Sequence, residues 1–595
     1  MTNPTTPVWE QRFRASDVTF PTWSRERPER VVYASSETGA YQLYAHDLGT
    51  GQRRRFTDIG IGTQNGMIHP SGDRVVWWDD PRGDEVGRWL TQSFDGGETE
   101  PLTSGVPDGW SSGFALGLDA MVAGVADADG YSIYVSRAGG QAHEIYRAET
   151  VAEVGPMDRA ERLVAVPHAE HGQMTHLAVR VYDIDSGAAV AELWDGKDMG
   201  LTPVAFAPAD GDARLLLTNE LTGLPRPTIW DVSSNDRRDI DLTELERDVT
   251  PWGSWPDASA VLVSHSLRGR DELYRLEVAT SQLTRIDAPT GSVLAAKVRP
   301  DGAVWVRHAS GAEAPSVRDA ATGAEVVAPE GTRAPVGYEY AEWSFANPGG
   351  ETVHGFIVEP PELPRPHPTV LLVHGGPAWL WADAWRPEVA AWADHGWAVA
   401  MVNYRGSTGH GIAWRDRLIG DPGFPEVEDE LAGLDDLVAR GVADAERVVI
   451  SGGSWGGFIT LLALGMHPDR WAAGIGVVPV ADYVAAFEDE APMLQSFDRE
   501  LFGGDPKDKP DLYAERSPLT YVESVKAPLL IIAGDNDTRC PIRQVHNYVA
   551  RLRELGVDHQ LDVFDAGHGS MVAEERVRHM QLELDFLAKR GLLER

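Results

Sequence analysis

Hydrophobic and polar positions alternate in short runs through the first half of the chain, and each run is closed by a turn of Gly, Ser, Asn or Asp. YQLYAHDLGTGQRRRFT around Asp47, RWLTQSFDGGETEPLT around Asp95 and SIYVSRAGGQAHEIYR around Arg137 share one plan of strand, polar turn and strand. The plan returns in VRVYDIDSGAAVAEL around Asp183, TIWDVSSNDRRDIDL around Asp231, LYRLEVATSQLTRID around Glu277 and SVRDAATGAEVVA around Asp319. Period-two alternation bounded by turn residues predicts hairpins. The hairpins recur about every 42–48 residues, the spacing of a four-stranded propeller blade. Seven such units predict a seven-bladed β-propeller over residues 25–334, with residues 1–24 as an N-terminal segment available to pack on the second half of the chain.

The pattern changes near residue 335. Val353 to Val358 reads as one strand, and Pro360, Pro361, Pro364, Pro366 and Pro368 then crowd a loop that can be neither helix nor central strand. Beyond it, continuous apolar runs alternate with longer helical stretches. The runs are Thr369–Val373, Ala398–Val402, Arg447–Ser451, Ala473–Val478, Leu529–Ala533 and Gln560–Phe564. Strands apolar on both faces and separated by helices predict a mainly parallel, doubly wound sheet over residues 335–595, of the α/β-hydrolase kind.

Composition narrows the functional classes. The 595 residues exceed one ordinary core, in keeping with two domains. No run approaches the roughly 20 apolar residues of a membrane span, and the opening MTNPTTPVWEQRFRAS lacks the basic-then-apolar pattern of a secretory signal, so a cytoplasmic location is expected. One cysteine, Cys540, leaves no internal disulfide and no Cys-rich metal site. With 53 basic against 91 acidic side chains the formal charge is −38, which argues against nucleic acid and anionic membrane as partners. The acidity serves solubility. A second meaning is an acidic chamber that draws in cationic peptides or free amino termini.

The strongest chemical signal is VVISGGSWGG, Val448 to Gly457. Its G-x-S-x-G, Gly452 to Gly456, follows an apolar strand and precedes a helical run, the setting of a nucleophile elbow. Ser454 is therefore the candidate nucleophile. A serine needs a base and the base an orienting carboxylate, in the chain order Ser, Asp or Glu, His. The loop Gly534–Arg539 offers Asp537 and, as the alternative, Asp535. His568 sits between two glycines after the last strand, a good site for an exposed base. An oxyanion needs donors: the backbone N–H of Trp455 is one. The loop His374-Gly375-Gly376-Pro377 or the phenol of Tyr404 is the second.

Together these segments resemble the prolyl oligopeptidase family, in its acylaminoacyl-peptidase and dipeptidyl-peptidase-like branch. The resemblance is carried by HGGP at His374–Pro377, NYRGSTG at Asn403–Gly409 and GGSWGG at Gly452–Gly457. GDNDTRCP and GHG further along, and ERSPLTYVESVKAPLLII from Glu515 to Ile532, also match. It covers the catalytic half; for the propeller it is architectural only. It implies Ser454, Asp537 and His568 as nucleophile, orienting acid and base. It also implies Tyr404 with the Trp455 amide as oxyanion donors, and His374–Pro377 as a structural loop. Cys540 departs from the aliphatic residue usual in the family and introduces a thiol open to oxidation.

The resemblance further implies an acyl-enzyme peptidase without metal or cofactor, acting on short peptides because a propeller covers the site. Self-association into a homo-oligomer is common in the branch. An enzyme that reads a free amino terminus needs carboxylates to hold the ammonium. Glu220, beside Asn219 in a propeller turn, and Glu488 and Glu490, in AAFEDEAPM, are the candidates; an exposed glutamate and a solvated acidic run are their ordinary meanings. Two other functions share the sequence: hydrolysis of a non-peptide or peptide-like amide or ester, and a propeller scaffold carrying a vestigial hydrolase domain.

Overall fold

A computed structural model describes residues 6–102 and 104–593. The first five residues of the expected N-terminal segment lie outside the described residues. From Thr22 to Val327 the chain forms consecutive antiparallel sheets. Four of them have four strands in simple up-and-down order, spanning 22–55, 201–239, 249–286 and 292–327. The strands of 66–101 and 109–148 merge into one eight-stranded sheet, because Val86 and Gly87 pair with Trp110 and Gly109. The sheet of 163–193 has three strands, and isolated bridges from Ala152 and Met157 line its inner edge.

Each sheet buries its apolar residues against the next. Val32, Leu43, Val75 and Trp77 join the first to the second group, and Val263 and Leu276 share a cluster with Leu216 of the preceding sheet. Val31, Tyr33 and Tyr44 pack on Val317 and Val327, so the last sheet closes on the first. Arg307 bonds the carboxylate of Asp17 across the same seam at 2.6 Å. A closed succession of antiparallel sheets is the arrangement of a propeller, in which every edge is short and covered.

The remainder is one eight-stranded sheet: β1 (Ala341–Ala346), β2 (Thr352–Val358), β3 (His367–Val373), β4 (Ala398–Asn403), β5 (Ala443–Gly453), β6 (Ala473–Val477), β7 (Leu529–Gly534) and β8 (His559–Phe564). The order is β1-β2-β4-β3-β5-β6-β7-β8, antiparallel for the first two strands and parallel thereafter. The apolar runs of the sequence are its central strands, and β3, β4 and β7 are almost wholly buried. Two cores lie on opposite faces, one around Phe458, Leu461 and Tyr548, the other around Trp392, Val449 and Phe586. The second core also takes Trp9 and Phe13 from the short helix α1 (Val8–Phe13), which precedes the first antiparallel sheet in sequence.

The antiparallel sheets contact the second half mainly through polar groups. Arg270 bonds Asp383 at 2.8 Å, the Gly409 amide donates to Asp248 at 3.0 Å, and the Thr175 amide donates to Glu500 at 3.0 Å. The most buried of these contacts centres on His176, whose two ring nitrogens meet Glu220 at 2.8 Å and Asp416 at 3.0 Å. Arg415 bonds the same Glu220. Burial works against a charged His176, but its bonds to Asp416 and Glu220 outweigh it and lift the imidazole to about 9.

A folded-state value raised from 6.5 to about 9 contributes stability that is complete below 6.5 and lost as the pH climbs through 9. The denaturation midpoint is therefore expected to fall between those two pH values. In His176→Gln, which cannot titrate, the fall should be shallower; chemical unfolding followed across pH checks it, and identical slopes in both proteins would refute the linkage.

Candidate active site

β5 passes into helix α3 (Trp455–Met466) through a single residue, Ser454, at φ 57° and ψ −120°. That backbone region is costly for a residue with a Cβ. The turn exists because its neighbours have none. A Cβ on Gly452 would stand 2.4 Å from the Gly456 carbonyl oxygen, and one on Gly456 would stand 2.2 Å from that of Val373. One on Gly457 would meet Pro479 at 2.8 Å. The strained residue is pinned by its own amide, which donates to the Val477 carbonyl at 2.8 Å. The apolar strand and the glycines of the sequence thus serve one purpose, to hold a serine at the head of a helix whose first amides are unpaired.

Asp537 and His568 follow β7 and β8, on the same edge of the sheet. His568 Nδ1 lies 2.8 Å from Asp537 Oδ2. The Asp537 side chain is fully buried while that of His568 keeps 18% exposure, so one is fixed and the other faces the cavity. The second oxygen of Asp537 accepts from the amides of Arg539 and Cys540, at 2.8 and 2.9 Å. The turn to Pro541 therefore aims the carboxylate. Asp535 is exposed, and it is Asp537 that meets the histidine.

The Cys540 thiol is buried and within hydrogen-bonding reach of Ser454. Burial, then the charge of Asp537, pushes it well above its ordinary value. A protonated, enclosed thiol is a poor target for oxidants, which corrects the expectation of an oxidation-sensitive cysteine. Ligand atoms of Asp537, Cys540 and His568 lie within 4.8 Å of one another. The protonated thiol and the Asp537–His568 bond already occupy that triangle.

Tyr404 requires the main correction. It is wholly buried, its ring stacks on His374 with centroids 4.0 Å apart, and its hydroxyl donates to the His374 carbonyl at 2.7 Å. The one phenolic proton is used inside the protein, so Tyr404 supports the His374 loop instead of facing a substrate. The loop itself stands beside Ser454: a Cβ on Gly375 would lie 3.5 Å from that of Ser454. His374 is neutral, held down to about 3 by burial, and bonds Ser407 at 2.8 Å through Nε2.

Trp455 begins helix α3, and its indole N–H donates to Glu426 at 3.1 Å. Glu426, in helix α2 (Phe424–Ala439), also accepts from the Gly423 amide at 2.9 Å, and burial lifts its carboxyl to about 8. This buried acid escaped the sequence reading, although the G-F-P-E start of a helix is a capping signal.

Ser454, Trp455 and His568 line a cavity of about 810 Å³ between the two halves of the molecule. Its far wall is aromatic: Trp78, Trp110 and a stacked Trp89–Phe114 pair at 3.9 Å. Two of the three expected amine readers lie elsewhere. Glu220 is spent on His176 and Arg415, which hold its carboxyl down to about 2 against the opposing effect of burial. Glu488 is exposed and pairs with Arg543 at 2.7 Å. Glu490 does line the cavity, together with Asp498, an acid the sequence reading missed. Asp498 stands three and four residues before the buried Leu501 and Phe502, a polar residue on an apolar helix face, and that was the available signal.

Residues 383–591 match the prolyl oligopeptidase family. A human acylamino-acid-releasing enzyme is 34% identical over 202 residues, 32% of this chain and 27% of that one. Dipeptidyl aminopeptidase BIII of Pseudoxanthomonas mexicana is 33% identical over 230 residues, 38% of this chain and 33% of that one. The match thus spans about a third or less of these curated relatives. A puromycin hydrolase shares the fold over 99% of this chain and 97% of its own, with a TM-score of 0.85 at 21% identity.

Gly456→Ala sets a methyl group against the Val373 carbonyl at 2.2 Å. Overpacking of this kind costs about 1–3 kcal/mol. The variant is expected to unfold at lower temperature and to lose labelling by a serine-directed fluorophosphonate, both read in one thermal and gel assay; unimpaired labelling would show that the elbow tolerates a Cβ there.

Proposed function

We propose that the chain is a serine peptidase that hydrolyses short peptides through an acyl-enzyme on Ser454. The observation that carries the reading is a strained serine at a strand-to-helix elbow sharing one cavity with a histidine bonded to a buried aspartate. His568 takes the Ser454 proton as the hydroxyl oxygen attacks the substrate carbonyl. Asp537 fixes the imidazole and stabilises its charged form. The oxyanion is held by the amides of Trp455 and Gly375, the second favoured over Tyr404 by the position of the loop against Ser454. The proton passes from His568 to the leaving amine, and water, activated by the same base, releases the acid.

In this reading residues 25–334 are a seven-bladed propeller and residues 335–595 the catalytic domain. The two groups merged through Val86 and Gly87 count as two blades. The propeller caps the cavity, which restricts substrates to short peptides. No metal or cofactor takes part, and neither nucleic acid nor membrane is a partner. The relatives' names support peptides with free or acylated amino termini. A second reading, hydrolysis of a peptide-like amide, draws on the aromatic cavity wall. Puromycin, the compound named for the enzyme of the same fold, therefore belongs in the substrate panel as an aminoacyl amide.

Ser454→Ala should abolish fluorophosphonate labelling and turnover of every chromogenic amide, whether free, acetylated or internal; peptidase activity persisting in that protein would sink the assignment. Loss of a true oxyanion donor costs about 10²–10³ in rate. Tyr404→Phe should cost less than about tenfold in kcat, because its bond goes to His374 and not to substrate. A loss of two or more orders of magnitude with an unchanged melting temperature would restore Tyr404 to the oxyanion.

A further inference from the structure

Glu490 closes helix α4 (Tyr483–Asp489), and Asp498 lies one helix later, in α5 (Pro492–Phe502). Both line the cavity that holds Ser454, yet Glu490 is only 7% exposed and Asp498 only 3%. Each keeps one carboxylate oxygen with no partner, Oε1 of Glu490 and Oδ2 of Asp498. An unpartnered buried polar atom is costly, and native structures retain few. Among the described residues no cation forms an ion pair with either acid. Arg499, whose charge acts on Glu490, is bonded to Asp505 at 2.6 Å, and Arg539 on the cavity wall is bonded to Glu85 at 2.6 Å. Burial pushes both carboxyls above their ordinary range; the charge of Asp498 and the hydrogen bond between the two acids add to the rise at Glu490, while that same bond works against the rise at Asp498.

The approach to the pair is apolar. Trp455, Tyr483 and Phe497 line the same cavity as Ser454 and the acids, with Trp455 and Phe497 edge to face at 6.4 Å. Aromatic walls ending in unpaired carboxylates fit a cation carried on a hydrocarbon stem, because the rings cover the stem and also favour the charge.

We propose that Glu490 and Asp498 are the specificity-determining acids of this site, binding an ammonium or guanidinium group of the substrate whose carbonyl Ser454 attacks. This rests on the serine peptidase reading. The cation has two sources, the substrate's own α-ammonium or a basic side chain beside the scissile bond, and the chemistry recognised is the same.

The test is a set of four p-nitroanilides: lysine, acetyl-lysine, norleucine and acetyl-norleucine. The wild-type protein should prefer at least one cationic member over acetyl-norleucine by about tenfold or more in kcat/KM. Preference for both lysine compounds identifies the side chain; preference for both unacetylated compounds identifies the α-ammonium. In Glu490→Gln and Asp498→Asn that ratio should collapse by about tenfold or more. Wild-type enzyme with no preference for either cation overturns the proposal without any variant, and so do folded variants whose ratio is unchanged. Fluorophosphonate labelling of Ser454 is read in parallel: its absence from the wild type would count against the serine reading, whereas labelling without cation preference counts only against the acid pair.

Discussion

The site depends on one steric constraint, that β5 and helix α3 meet with no side chain between them. Gly452, Gly456 and Gly457 are needed for space, since their Cβ atoms would overlap backbone or proline. None of the three has a positive φ, and the strain falls on Ser454 instead. A parallel sheet then does the rest. Its strands all end at one edge, so the loops after β3, β5, β7 and β8 deliver Gly375, Ser454, Asp537 and His568 to one place from positions spread over nearly 200 residues. Nothing local brings Asp537 to His568; the sheet order does.

The sheets of the first half cover this edge through contacts that are mostly ion pairs and backbone bonds, such as Arg539–Glu85 and the Ala573 amide on the Gly39 carbonyl at 2.7 Å. The two covalent connections between the halves behave differently. Helix α1 anchors the first in the hydrolase core with Trp9 and Phe13. The second returns through residues 328–340, and the two are tied together: Arg12 donates to the Val336 carbonyl at 2.8 Å and Ser16 to that of Thr332 at 2.9 Å. A polar rim and a doubly bonded seam concentrate the durable connection on one side of the cavity. Polar interfaces of this kind part more cheaply than an apolar core.

The elements that depend on local pattern were legible in the sequence: the hairpins, the apolar strands, the glycine elbow, and acids and histidines placed by their distance from a strand end. What was not legible depends on partners far away in sequence. Tyr404 sits where a donor could be useful, and only the location of the His374 carbonyl shows where its proton goes. Glu220 has the look of a free turn glutamate until Arg415, 195 residues later, is placed against it. Asp498 is a polar residue on an apolar helix face, a fainter signal than the acidic run that holds Glu488 and Glu490. The same run held both outcomes, a solvated Glu488 and an enclosed Glu490.

That contrast bears on the formal charge of −38, which treats every acid as ionised. Burial lifts Glu426 and Asp498 to about 8 and raises Glu430 and Glu490 as well, so these enclosed acids ionise less readily than the formal count assumes. Two of these stand near Ser454. Glu426 ties the start of α2 to the Trp455 indole and so sets the helix that heads the elbow. Glu490 faces the cavity with an oxygen unused. An acidic chamber in this protein is therefore not a matter of overall acidity. It is a matter of a few enclosed carboxyls whose ionisation waits on what enters beside them, because in a low-dielectric site a carboxylate becomes stable only when a counter-charge arrives.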